Sequence, residues 1–232
     1  MSDIRPITQA REFPSQTAGQ LISSAIDSNK VIRNTYTLLS MTLLFSALTA
    51  GLSVAMKLPH PGIIVTLIGY FGLLYLTTKF RDSAKGLIFV FGLTGFMGYT
   101  LGPIVSQYLG MPNGGEIVAT AMGLTAAIFL GLSGYALMTR KDFSFMGGFL
   151  TVGILVGFLA GLGAMFFEMP GLSLAVSAMF VLLMSGLILY ETSNIIQGGE
   201  TNYIMATVTL FVSIFNLFTS LLHLLGFMGG DD

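Results

Sequence analysis

The sequence predicts an all-α membrane protein with seven transmembrane helices. Three observations carry that prediction. Of 232 residues, 53% are hydrophobic and only 9% are charged, against about 25% charged in a soluble domain. Mean hydropathy is +0.83. Seven apolar stretches come near the roughly 20 residues that a membrane helix needs. They do not alternate as barrel strands would, and helices satisfy their own backbone groups in lipid.

The elements follow in order. Residues 1–30 are polar, of mixed charge and rich in Ser and Gln, which predicts a disordered tail. They hold no apolar signal-peptide core, so the first span, Val31–Met56, is expected to direct insertion. The second, Gly62–Thr78, is the shortest and opens after "LPHPG". The third, Ala84–Leu109, follows the basic turn "TKFRDSAKG" and carries Gly98 and Gly102. The fourth, Ile117–Met138, follows "MPNGG". The fifth, Phe145–Phe167, follows "TRKDFSFMGG" and carries Gly153, Gly157 and Gly161. The sixth, Leu172–Tyr190, follows "EMPG", and its extension to Ile196 stays open. The seventh is Tyr203–Met228. The domain plan is therefore a tail (1–30), a transmembrane domain (31–228) and a short C-terminal tail (229–232).

Lys and Arg set the expected orientation. Nine lie on one side (Arg5, Arg11, Lys30, Arg33, Lys79, Arg81, Lys85, Arg140 and Lys141) and only Lys57 on the other. The N-terminus is expected in the cytoplasm and the C-terminus outside. Three of the turns on the outer side pair Pro with Gly, so the first six helices read as three outward-opening hairpins. The GxxxG spacings on the third and fifth spans let helix backbones approach closely. Packing within the chain is the leading reading of them, and a dimer face the other.

The seventh span carries a polar stripe. Asn202, Ala206, Thr209, Ser213, Asn216, Ser220 and His223 alternate steps of 4 and 3 and share one face. Such a face should meet protein or a water-filled cavity, so this helix is expected to be central or to line a cavity. Bonding of these side chains to nearby backbone is the plainer alternative. Glu191, at the end of the sixth span, is the one carboxylate placed to lie within the membrane. Asn194 shares its face. If the sixth helix reaches Ile196, Glu191 lies ~7 Å inside its end; otherwise it is a solvated helix-end acid.

Several chemistries are excluded. A net charge of −1 gives no basis for nucleic-acid binding, and without cysteine there is no disulfide or thiolate site. His60 and His223 both fall on the outer side without metal-ligand spacing, so no metal or cofactor is expected. "GLSG" at Ser133 and "HLLG" at His223 echo intramembrane serine proteases. Helix register separates that pair by ~16 Å in depth, so no catalytic dyad and no enzyme is expected.

The block "ILYETSNIIQGGETNYIMATVTLFVSIFNLF" resembles the sixth and seventh helices of the Bax inhibitor-1 (transmembrane BAX inhibitor motif) family. "VIRNTYTLLSMTL", "TGFMGYTLGPI", "TRKDFSFMGG" and "GGETNYI" resemble its bacterial YccA branch. The resemblance runs from Lys30 onward. It implies a bundle of six helices surrounding a central seventh, in a bacterial inner membrane. It implies an inhibitory partner or substrate of the membrane AAA protease FtsH and its associated membrane regulators. A second implied function is a pH-sensitive calcium or ion leak, with calcium or proton passage gated near Glu191. In that mechanism acids on the sixth and seventh helices share a proton. Glu191 matches the first acid, but Ser213 stands in place of the second. The polar core expected to matter is Glu191, Asn194, Thr209, Ser213 and Asn216, with a Glu191–Ser213 hydrogen bond as one way to join the helices. The tail from Ser2 to Ser28 is the segment a protease could grip, a plain solvated tail being the alternative.

Overall fold

The computed structural model describes the backbone of residues 15–229 and the side chains of residues 28–229. Seven α-helices follow one another: α1 (Ser15–Ala55), α2 (Ile63–Lys79), α3 (Ala84–Leu109), α4 (Gly114–Thr139), α5 (Gly147–Phe166), α6 (Pro170–Ile196) and α7 (Tyr203–Met228). A 3₁₀ turn, Ser144–Met146, leads into α5, and no strand occurs among the described residues. Six helices are long and apolar enough to cross a membrane, α1 being counted from Ser28; the 17-residue α2 is shorter. α3 and α7 have the expected ends. α6 does continue to Ile196, with Pro170 at its start, where a missing N–H costs nothing. α1 begins at Ser15, ahead of the expected Val31. The tail expected to engage a protease, Ser2 to Ser28, lies outside the described side chains except for Ser28, and residues 230–232 lie outside the described residues.

α7 is the central helix. It packs against α1, α2, α3, α4 and α6. Four of these close a wall around it: α1 packs on α3, α3 on α4, α4 on α6 and α6 on α1. The other two helices stand outside that wall. α2 leans on α3 and touches α7, whereas α5 packs only on α6 and the 3₁₀ turn. Two apolar clusters stack along α7. One joins Leu39, Leu93 and Phe211 near the basic loops; the other joins Ile117, Ile188 and Leu217 beyond it. Leu44, Leu48, Ile68, Ile88, Val152 and Leu182 face outward, as a surface solvated by hydrocarbon allows.

The three-hairpin expectation needs correction. α3–α4 and α5–α6 pack as pairs, but α1 and α2 do not touch; α3 lies against both. Small residues explain the insertion. Gly98 and Gly102 of α3 lie so close to Ser46, Thr49 and Ser53 of α1 that a Cβ at either would overlap them. Gly95 receives the Phe45 ring, and Gly69 of α2 receives Phe96 of α3. On α5, Gly153 abuts Leu183 and Gly157 abuts Met179 and Phe180 of α6. Both GxxxG stripes thus pack within the chain.

Pro103 lies inside α3. It has no N–H to give the carbonyl four residues earlier, which belongs to Tyr99. Ser53, 1% exposed on α1, donates its hydroxyl to that carbonyl at 3.1 Å. The helix defect and the α1–α3 contact therefore share one hydrogen bond.

The loops gather on two faces. On the basic face, Asn202 Nδ2 donates to Arg81 O and Asp82 Oδ1. On the opposite face, the Tyr99 hydroxyl donates to Pro59 O, and Asn113 Nδ2 donates to Gly229 O.

Replacing Ser53 by Ala should cost ~1–3 kcal/mol by stranding the Tyr99 carbonyl. In a Pro103→Ala background, whose new N–H serves that carbonyl, the same change should cost clearly less. Thermal unfolding of the four proteins of this cycle in detergent checks the coupling; equal losses in both backgrounds would refute it. Gly98→Leu should destabilise by ~1–3 kcal/mol through overpacking, whereas Gly123→Ala, with nothing within 4 Å of the added Cβ, should not.

Candidate functional site

The last turns of α6 carry polar side chains into the interior. Glu191 is 5% exposed, Thr192 1% and Ser193 0%. Glu191 is therefore a buried acid and not a solvated helix end. Asn194 follows one turn later on the same face.

Thr192 is the junction of three helices. Its Oγ1 lies 3.1 Å from the Tyr36 hydroxyl of α1 and 3.4 Å from Ser133 Oγ of α4. Ser193 fastens the α4–α5 connection: its hydroxyl donates to Lys141 O and accepts from the Phe143 N–H, each at 3.0 Å. Gln197 Nε2 donates to Arg140 O at 3.0 Å. Arg140 itself is left-handed, with φ 50°, a conformation that costs an L-residue ~1–2 kcal/mol. These bonds hold the strained corner in place. Next to it, the Ser144 backbone N–H, at 2.8 Å, holds the exposed Asp142 carboxyl below its ordinary range.

The turn between α6 and α7 is equally bound. Gly198 has φ 78°, which suits glycine at a helix end. Gly199 N–H donates to Asn194 O, and its Cα lies against the Asn194 side chain with no room for a Cβ. Glu200 Oε1 accepts from the Asn202 N–H at 2.6 Å. Asn202 then caps α7: its Oδ1 accepts from the N–H groups of Ile204 and Met205 at 3.0 and 3.1 Å. A cleft of about 850 Å³ opens beside this turn, lined by Lys30, Asn34, Arg140, Gln197, Glu200 and Tyr203 among others.

Along the polar stripe of α7, Ala206 and Ser213 are buried and the other five members half-buried. Two of its side chains bond to backbone of their own helix: Ser213 Oγ donates to Thr209 O at 2.7 Å and Asn216 Nδ2 to Val212 O at 2.8 Å. Counted from the α6–α7 turn, Ser213 lies roughly 8 Å deeper than Glu191. The hydroxyl expected to reach Glu191 is committed elsewhere. At the level of Glu191, α7 presents Thr207, whose Oγ1 donates to Tyr203 O and reaches Thr35 O of α1 at 3.3 Å. Thr35 Oγ1 is fully buried without a partner among the described residues. Of the five expected core residues, Glu191 and Asn194 sit together near the basic face, and Thr209, Ser213 and Asn216 run deeper.

Sequence reasoning missed Tyr36, Thr192 and Ser193, and read Ser133 only as a protease echo. The signal available was hydroxyl residues within apolar spans, which does not say which helices they join. Ser133 and His223 have different partners: His223 Nδ1 meets Ser177 Oγ at 2.8 Å. Ser177 and Thr192 lie ~22 Å apart along α6, so the two motifs belong to opposite ends of the bundle.

Asn202→Ala should remove the cap of α7 together with the tie to the α2–α3 turn. The expected loss is ~0.5–2 kcal/mol, with faster hydrogen exchange at the Ile204 and Met205 amides. Unchanged protection at those two amides would contradict the capping role.

The comparisons agree with this architecture. The profile of the family described as "Inhibitor of apoptosis-promoting Bax1" matches residues 28–230. An uncharacterized protein of Pseudomonas aeruginosa is 58% identical over 202 residues, covering 87% of this chain and 91% of the relative. A protein of Escherichia coli named modulator of FtsH protease YccA is 52% identical over 209 residues, covering 90% and 95%. An uncharacterized membrane protein of Vibrio cholerae is 42% identical over 220 residues, covering 94% and 99%. With the match running from the first membrane-spanning residues to the end of α7, the chain belongs to the Bax inhibitor-1 family.

Proposed function

We propose that this chain is a multi-pass inner-membrane protein that binds and modulates the membrane AAA protease FtsH without chemistry of its own. The observation that carries the proposal is its 52% identity, over 95% of the relative, to the E. coli protein named modulator of FtsH protease. The same E. coli-type sequence also bears the name inner membrane protein. The charge split supports an orientation with the basic face in the cytoplasm and the C-terminus in the periplasm. A protease with its ATPase in the cytoplasm then meets the basic face. There the loops are held by side-chain bonds from Ser193, Gln197 and Asn202. The tail from Ser2 to Ser28 supplies a segment that the ATPase can grip.

The ion-leak reading is weaker. It needs two carboxylates that titrate as a pair, and Ser213 offers only a hydroxyl bonded to Thr209 O.

Raised levels of this chain should lengthen the half-life of a membrane substrate of FtsH, measured by pulse-chase, and FtsH should co-purify with it. A half-life unaffected by abundant chain would refute the proposal. Deleting Ser2–Ser28 should weaken engagement by the protease. Glu191→Gln, which keeps the side-chain shape and replaces the ionisable carboxyl by an amide, should leave co-purification unchanged.

A further inference from the structure

The turn between α2 and α3 concentrates positive charge, most of it without an ion-pair partner among the described residues. Lys79, Arg81 and Lys85 are all exposed there. Among the described residues the only ion pair is Arg81 with Asp82, at 3.6 Å. The Asp82 carboxylate is further occupied by Asn202 Nδ2 at 2.8 Å. Lys79 and Lys85 have no carboxylate within ion-pair distance among those residues. Both ammonium groups nevertheless converge on one feature. Lys79 Nζ lies 5.9 Å and Lys85 Nζ 5.8 Å from the centre of the Phe80 ring. That ring is stacked on Phe89 at 5.4 Å, and Lys79 also lies 5.9 Å from the Tyr75 ring. Two like charges share one aromatic anchor on a turn that Asn202 fixes through Arg81 O.

Their height in the bilayer follows from helix length. α2 has 17 residues, ~25 Å at 1.5 Å per residue, against a hydrocarbon thickness of ~30 Å. A helix that falls short thins the bilayer or leaves its flanking residues among the headgroups. Lys79 is the last residue of α2, so where α2 crosses the bilayer its ammonium reaches toward the headgroups. Beside it α2 and α3 expose Phe71, Tyr75 and Ile88, an apolar flank suited to acyl chains.

We infer that the α2–α3 turn is a binding site for the headgroup phosphate of an anionic phospholipid, held between the ammonium groups of Lys79 and Lys85. Arg81 adds long-range attraction, and the exposed flank of α2 and α3 receives the lipid tails. The occupant is a membrane lipid because charge and apolar surface adjoin each other at headgroup height. A soluble phosphate ester would use only the first.

The test uses the full chain, purified in neutral detergent and titrated with phosphatidylglycerol or phosphatidylcholine while retained lipid is counted by native mass spectrometry. Wild type should retain phosphatidylglycerol in preference to phosphatidylcholine. The Lys79→Gln/Lys85→Gln protein should lose that preference, with affinity for phosphatidylglycerol reduced about tenfold or more. Lys79→Arg/Lys85→Arg should keep it, as should Lys57→Gln on the opposite face. All three side chains substituted are exposed, and unchanged thermal unfolding verifies that each variant is folded. Equal retention of the two lipids by wild type, or full retention of phosphatidylglycerol by the double Gln variant, overturns the site. Displacement of phosphatidylglycerol by millimolar inorganic phosphate would assign the turn to a soluble phosphate ester and overturn the lipid assignment.

Discussion

A chain immersed in hydrocarbon must satisfy its polar groups from within itself, and this bundle is organised around that constraint. The clearest instance is the pairing of Pro103 with Ser53. A proline in α3 frees the Tyr99 carbonyl, and a hydroxyl from α1 takes it up. The contact requires the two helices to lie close, which Gly98 and Gly102 permit. The same logic recurs in α7, where Thr207, Ser213, Asn216 and Thr219 return their polar hydrogens to carbonyls one turn back. Two members of the polar stripe, Ser213 and Asn216, are satisfied in this way inside the bundle.

The constraint also explains which helices surround α7. α1, α3, α4 and α6 close the wall, with Gly98 and Gly102 setting the close approach of α3 to α1 and hydroxyls of Tyr36, Ser133 and Thr192 meeting between α1, α4 and α6. α5 has glycines too, but Gly153 and Gly157 are used up against α6. Its remaining surface is apolar, and lipid solvates it as well as protein would. At the basic face the bonding changes character. There the polar side chains bind loops: Ser193 to the α4–α5 connection, Gln197 to Arg140, and Asn202 to both α7 and the α2–α3 turn. A face bonded in this way presents a defined surface to whatever meets it.

Much of the bundle was legible in the sequence because hydropathy and charge report on the bilayer directly. The ends of α3 and α7 were readable, as were the sides to which the turns belong. The centrality of α7 was readable from a stripe of period 3.5. What hydropathy does not encode is which helices touch. Two spans joined by a short turn look like a hairpin, yet α1 and α2 are held apart by α3. That outcome depends on Phe45 and Phe96 filling the spaces over Gly95 and Gly69, a matter of shape across distant segments. The junction at Thr192 was hidden for a related reason. Tyr36 and Ser133 lie far from it in sequence, and a lone hydroxyl in an apolar run carries no mark of its partner.

Glu191 shows how such a junction limits function. It directly precedes Thr192, which is bonded to Tyr36 and Ser133, and one residue further on Ser193 grips the α4–α5 connection. A gate built on this acid would have to move α6 against those bonds. It would also need a second charge that changes with the first, and α7 offers Thr207 at that level and Ser213 below it, neither of which titrates in the physiological range. The bonds of Thr192 and Ser193 instead tie α6 to α1, to α4 and to the α4–α5 connection at one end of the bundle.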